Sequence, residues 1–257
     1  MNAFRSVVMA FCMFSRIPMP RIEWKDENMR YMLCAFPLVG AAVGLSIWLW
    51  QLICAWLGIG AFLWAAGVTL LPVAVTGGIH MDGFCDVSDA LASHAPMERK
   101  REILKDSHTG AFAIIQLGCW LLLYFAAATE LPVGGLSAAM LTLLHIFSRI
   151  LSGLTSIVFP KNAGEGLLKT FTVSADKKTA LMVLLILLPL CAAGMVLLGG
   201  IPGAAMILGG GLTALYLKHM SAKQFGGMSG DLSGWFLQMA ELVMLLCFVL
   251  MGKVVSL

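Results

Sequence analysis

The chain has 257 residues, 60% of them hydrophobic and only 12% charged, with a formal net charge of +3; its mean hydropathy is +0.90. A soluble domain carries about twice that charged fraction, so the composition excludes an ordinary water-soluble fold and leaves an all-α, polytopic membrane bundle in one domain. The seven cysteines (Cys12, Cys34, Cys54, Cys85, Cys119, Cys191 and Cys247) are scattered, odd in number and without a CxxC pair, which excludes a disulfide framework and a zinc site.

In chain order, Met1 to Phe14 is too short to span a bilayer. It has Arg5 near its start and no small-residue cleavage site, and it reads as an interfacial helix within a cytoplasmic or interfacial segment 1–32. A spanning helix needs roughly 20 apolar residues. Seven candidate spans follow: Leu33–Trp56, Ile59–Val75, Ala111–Ala128, Leu136–Val158, Ala180–Leu198, Gly203–Leu217 and Trp235–Met251. The sixth is short and glycine-rich.

The basic residues fall in every second connection. Arg5, Arg16, Arg21, Lys25 and Arg30 precede the first span. Arg99, Lys100, Arg101 and Lys105 lie in the polar segment 76–110. Lys161, Lys169, Lys177 and Lys178 follow the fourth span, and Lys218 and Lys223 precede the last. The intervening turns are nearly bare. By the positive-inside rule the N-terminus and the long connections face the cytoplasm, and seven spans put the C-terminus outside.

The segment TGGIHMDGFCDVSDA, Thr76–Ala90, carries Asp82, Asp86 and Asp89 at i, i+4 and i+7, one face of a helix. Like charges so placed repel unless a cation lies between them. A hard divalent ion suits carboxylates, and Mg²⁺ is held by one or two of them together with substrate phosphate. The bland alternative is a solvated acidic face, but such a face normally interleaves lysines, and this one has none. Gly77, Gly78 and Gly83 allow close backbone approach, with Gly78 a candidate ligand contact. His80 is a candidate acid or base, or a satisfied structural histidine. Cys85 reads as packing.

The stretch from His94 to Phe112 alternates Glu98, Glu102, Arg101 and Lys105 at helical spacing, which a surface helix explains by itself. Lys105, Asp106, Ser107 and His108 then meet the third span, a cluster able to bind phosphate and metal. Near the C-terminus, GGMSGDLSG holds Ser229, Gly230 and Asp231 in a flexible loop that can offer backbone N–H groups to phosphate. It has no Walker lysine, so it is not a P-loop. Arg149 and Glu241 fall within spans, where charges are paired or functional. They pair with each other, or Arg149 faces the site. His145 lies one turn before Arg149. Arg16, in SRIPMP, is a lipid-headgroup anchor or a phosphate contact.

At these motifs the chain resembles the cobalamin synthase family, the adenosylcobinamide-GDP ribazoletransferases, over nearly its whole length. The resemblance lies in SRIPMP, FPLVG at Phe36–Gly40, TGGIHMDGFCDVSDAL, EILKDSHTGAF, the Ser148–Arg149 pair, and GGMSGD followed by Glu241. His108 stands where the family often has arginine, Ser229 where threonine is common, and Trp235 where a small residue follows Gly234; these bear on substrate contacts, not on the reaction class. The resemblance implies a Mg²⁺-dependent transfer at the cytoplasmic membrane. Adenosylcobinamide-GDP joins α-ribazole or its 5′-phosphate, giving adenosylcobalamin or its 5′-phosphate and GMP. It implies Asp82 and Asp86 as metal ligands, completed by Asp89 or Asp231. Lys105 and Arg149 add positive charge, and Asp89 or His80 takes the hydroxyl proton. Substrate contacts would come from Arg16, Gly78, Asp106, His108, Ser229, Gly230 and Glu241. The partners are the two substrates and membrane lipid, with no nucleic acid; a second copy of the chain is left open. Two rival readings remain on the residues alone. One is another intramembrane pyrophosphate transferase, of the CDP-alcohol phosphotransferase or prenyltransferase kind. The other is a divalent-cation transporter, which would need carboxylates near the midplane and access from both faces.

Overall fold

A computed structural model describes residues 2–106, 108–162 and 174–256; Ser107 and Lys169 lie outside the described residues. Among those described, the regular elements are all helical. They are α1 (Asn2–Phe14), α2 (Asp26–Met29), α3 (Met32–Leu57), α4 (Ala61–Thr76), α5 (Ile79–Ala92), α6 (Met97–Ile103), α7 (Ala111–Thr129), α8 (Gly135–Val158), α9 (Lys177–Met220) and α10 (Gly230–Val255). One π-helical turn, Ser221–Phe225, continues α9.

Apolar runs bounded by glycine explain the long helices. Five of them (α3, α7, α8, α9 with its π turn, and α10) are long and apolar enough to cross a membrane, and the bent pair α4–α5 makes a sixth. The chain is therefore a multi-pass membrane protein, an all-α bundle. Counting continuous helices gives five or six where seven spans are expected, because at 16 residues α4 is short of a full span on its own and the expected spans Ala180–Leu198 and Gly203–Leu217 are the two arms of one 44-residue element broken at Gly200. Gly200 has φ 57° and ψ −135°, a backbone state that side chains disfavour. The arms on either side fold back sharply, so closely that a methyl on Gly203 would collide with the Met195 carbonyl oxygen.

The bundle is centred on α3, α8 and α10. Gly40 and Gly44 of α3 press onto α8, where added methyls would collide with the His145 carbonyl oxygen and with the Thr142 side chain. The first arm of α9 runs beside α8, with Cys191 Sγ 3.6 Å from the Leu143 carbonyl oxygen. The second arm runs beside α10, where the rings of Tyr216 and Trp235 lie 6.0 Å apart. Trp120 Nε1 donates to the Gln238 carbonyl at 3.0 Å and ties α7 to α10. Leu49, Trp56, Leu122 and Leu197 are among the large apolar side chains left exposed around the bundle, as a lipid solvent permits. The N-terminal segment is anchored too. Ser6 Oγ donates to the Asn28 carbonyl at 2.8 Å, and the Arg16 amide donates to the Val75 carbonyl at 2.8 Å.

Candidate active site at the elbow between α4 and α5

The sequence expects residues 76–110 to be a polar connection. In the structure its first part is the helix α5, turned 97° from α4. Gly77 and Gly78 make the turn, at φ 68° and 80°, two successive left-handed residues that only glycine adopts without strain. α5 therefore turns away from the line of α4, is not one of the five continuous spanning helices, and packs against α7 and α10.

This placement brings the expected carboxylates together from two distant parts of the chain. Gly83 of α5 lies against the start of α10, where an added methyl would sit 2.8 Å from the Asp231 carbonyl oxygen, and Gly234 returns the contact at 2.9 Å from the His80 carbonyl oxygen. Asp82 is exposed, and Asp86, Asp89 and Asp231 are half-buried. Burial, then Asp82, Asp231 and Asp89, push the Asp86 carboxyl up to about 6. Four carboxylates thus share one field, and the ordinary charged form of Asp86 is opposed by the other three. The Cys85 thiol is raised by burial and by Asp86 and Asp82, which keeps it a protonated packing group. Asp82 and Cys85, with Val73, Gly77, Gly78, Ile79 and Met81, line an open depression at the elbow.

Asp89 points to a second loop. A methyl on Gly110 would collide with its carboxylate, so the chain leaving α6 passes directly over it. Within that loop Asp106 is occupied locally. It accepts from the His108 amide at 3.0 Å and lies 2.6 Å from His108 Nδ1, and these bonds hold its carboxyl below the usual range. Lys105, Asp106 and His108 are exposed, and among the described residues no ion pair joins them to the carboxylates of α5. On the other side of the elbow, the aliphatic part of Arg16 lies over Gly77, filling the place a methyl would take. Ser229 caps α10, accepting from the Leu232 amide at 3.3 Å, and its hydroxyl lies 3.5 Å from Asp231 Oδ2. Gly230 is exposed at the same helix start.

Arg149 and Glu241 sit elsewhere. They are 0% and 1% exposed and form an ion pair between α8 and α10. Ser148 Oγ donates to Glu241 Oε1 at 2.9 Å and accepts from Arg149 Nη1 at 2.9 Å. His145 Nδ1 is 3.3 Å from the same carboxylate oxygen. Of the two readings of Arg149, the structure has the pairing with Glu241. The reason is electrostatic: each is the other's counter-ion in a medium that tolerates neither alone. His80 is 4% exposed, wedged beside Phe14 and Phe36 with ring centroids at 6.1 and 6.0 Å. Burial, then Arg149, push it down to about 3. That makes it a poor proton acceptor at neutral pH. Sequence reasoning missed Tyr124, buried close to the same pair, and the buried Lys100; neither has a motif to announce it.

The residues fit a hard cation on the chemistry of the donors. Among the described residues no three His, Cys, Asp or Glu side chains form a ready-made cage. Mg²⁺ needs none, since it keeps waters and takes one or two carboxylates plus phosphate oxygens.

The cobalamin-5-phosphate synthase family model matches residues 6–249. An adenosylcobinamide-GDP ribazoletransferase of Lachnoclostridium phytofermentans is 38% identical over 255 residues, covering 99% of this chain and 97% of that protein. Proteins of the same name from Clostridium botulinum and Geobacillus thermodenitrificans are each 32% identical. The first covers 94% of this chain and 96% of the relative, the second 91% of each. No solved structure matches. On the family match and on these relatives, the chain belongs to the cobalamin-5-phosphate synthase family.

Proposed function

We propose that the chain is a transferase of late cobalamin synthesis, joining adenosylcobinamide-GDP to α-ribazole or its 5′-phosphate with release of GMP. The observation that carries the site assignment is the convergence of Asp82, Asp86 and Asp89 with Asp231 at the elbow, all of one sign and opposed to one another. A diphosphate substrate arriving with Mg²⁺ supplies the missing positive charge.

Asp82, Asp86 and Asp231 would hold the ion, whose charge would offset that of the diphosphate and the departing phosphate. Asp89, whose carboxylate lies against Gly110, would accept the proton of the attacking hydroxyl. Arg16, laid along Gly77 at the elbow, takes the phosphate role first considered for Arg149. Lys105 and His108 stand on the exposed rim. Arg149 and Glu241 hold α8 to α10 and so fix where Asp231 starts its helix. The basic connections support a cytoplasmic orientation of this face in a cytoplasmic-membrane protein.

The test is purified protein in lipid vesicles with Mg²⁺, adenosylcobinamide-GDP and α-ribazole 5′-phosphate. Joined product and GMP should appear together and stop on chelation. No product with either acceptor would refute the reading. A single cysteine placed at Met97 should be labelled only from the cytoplasmic side; labelling from outside would reverse the topology.

A further inference from the structure

The run Arg99–Lys100–Arg101 reads as a solvated face, yet Lys100 is 6% exposed. Its ammonium donates to Gln224 Oε1 at 2.5 Å, and Arg101 Nε donates to the Phe225 carbonyl oxygen at 2.7 Å. Both acceptors are neutral and both belong to the π turn Ser221–Phe225. Among the described residues neither cation has a carboxylate within ion-pair distance; only Arg99 of this run does, with Glu102 at 2.7 Å. Two neighbouring cations that face only neutral acceptors leave a local excess of positive charge, which an anion would balance.

The surrounding chain suits one. Gly226 follows the π turn, and a methyl on it would collide with Arg101 Nη2, so the guanidinium lies directly on glycine backbone. From there Gly226–Gly230 leads without a break to Asp231. The N–H groups of Gly226, Gly227 and Met228 already donate to the Ser221 and Pro160 carbonyls, so the donors left for phosphate oxygens are the remaining N–H groups of the Lys100 ammonium and the Arg101 guanidinium. The carboxylate face, by contrast, repels any phosphate that arrives without a cation.

We propose that the side chains of Lys100 and Arg101, where α6 meets the loop from Gly226, form a seat for a phosphate monoester, separate from the diphosphate held at the carboxylates. This rests on the transferase reading above, whose reactants offer two such groups: the 5′-phosphate of the acceptor and the phosphate of GMP.

The test compares wild type with Lys100→Met in lipid vesicles. If the acceptor's phosphate sits there, KM for α-ribazole 5′-phosphate rises roughly 10- to 100-fold while turnover of unphosphorylated α-ribazole stays within about threefold. If GMP sits there, its inhibition constant rises by the same factor and the ratio between the two acceptors is unchanged. Lys100→Arg, which keeps the charge, should restore the affected constant. A Lys100→Met protein that turns over with neither quantity moved overturns the proposal. Should that variant fail to accumulate, Arg101→Gln, at a half-exposed position, takes its place in the same comparison, and unmoved constants there overturn the proposal equally. Wild type inactive with both acceptors would refute the transferase reading instead. The seat would then be judged by thermal stabilisation with GMP or inorganic phosphate, expected in wild type and lost in Arg101→Gln; no stabilisation would overturn it.

Discussion

Two groups of charge lie close together in this bundle and behave oppositely. At the elbow, Asp82, Asp86, Asp89 and Asp231 gather one sign of charge at a partly wet surface, to the point that Asp86 holds its proton up to about 6. One layer deeper, Arg149 and Glu241 cancel each other out of reach of solvent. The first group is unbalanced by itself and calls for a ligand. The second is paired in charge, although Arg149 Nε and His145 Nε2 are buried without a hydrogen-bond partner, and it joins α8 to α10. In a membrane protein, then, whether a charge serves chemistry or architecture is decided by what stands beside it, not by its type or its depth alone.

The contrast can be broken at several points. The largest effect should come from Asp82→Asn, which removes charge from the unbalanced group. Turnover should fall roughly a thousandfold with thermal unfolding little changed; near-normal GMP release would end the metal assignment. Glu241→Gln attacks the balanced group and should act the other way round. It strands Arg149 in the interior and should cost about 3–5 kcal/mol of stability, read by thermal unfolding in detergent. The double variant Arg149→Met with Glu241→Leu should recover most of that loss and retain turnover. A stable but inactive double variant would return Arg149 to the reacting groups. Gly83→Ala tests the join between α5 and α10. The extra methyl meets Asp231 backbone, an overpacking of about 1–3 kcal/mol, and Mn²⁺ affinity measured by electron paramagnetic resonance should weaken even where the fold survives.

The smallest effect is a pH dependence. The folded state raises the Asp86 pKa, so it binds that proton more tightly than the unfolded chain does. Without a divalent cation, the resulting stability is fully present below the ordinary aspartate pKa and is lost as pH rises through about 6. Adding Mg²⁺ should reverse the trend, because the metal and the proton compete. A melting profile of the chelated protein that is flat between pH 4 and 7, scanned at intervals of about half a unit, would separate Asp86 from its neighbours.

The spans could be read from sequence because bilayer thickness dictates their length; Ala111–Ala128 and Leu136–Val158 differ from α7 and α8 by a single residue at one end. The acidic helix was legible from the spacing of three aspartates. Its direction was not, because a 97° turn depends on the φ angles of Gly77 and Gly78, which the letters do not carry. The join between Gly83 and Asp231 was hidden for a similar reason: it links residues far apart in the chain through backbone contact. Arg149 and Glu241 left two readings open, since intramembrane charge signals importance without naming a partner. Lys100 was the hardest. A lysine between two arginines looks like a wet surface, and only the docking of α6 on the π turn buries it.

The sideways course of α5 has one more effect. Because it turns 97° from α4 instead of continuing it, the helix buries apolar side chains against the bundle and leaves Asp82 exposed, where a hydrated reactant can reach it. Tethering such a reaction to a surface also confines the search for the second reactant to a thin layer, which a freely diffusing protein could not do.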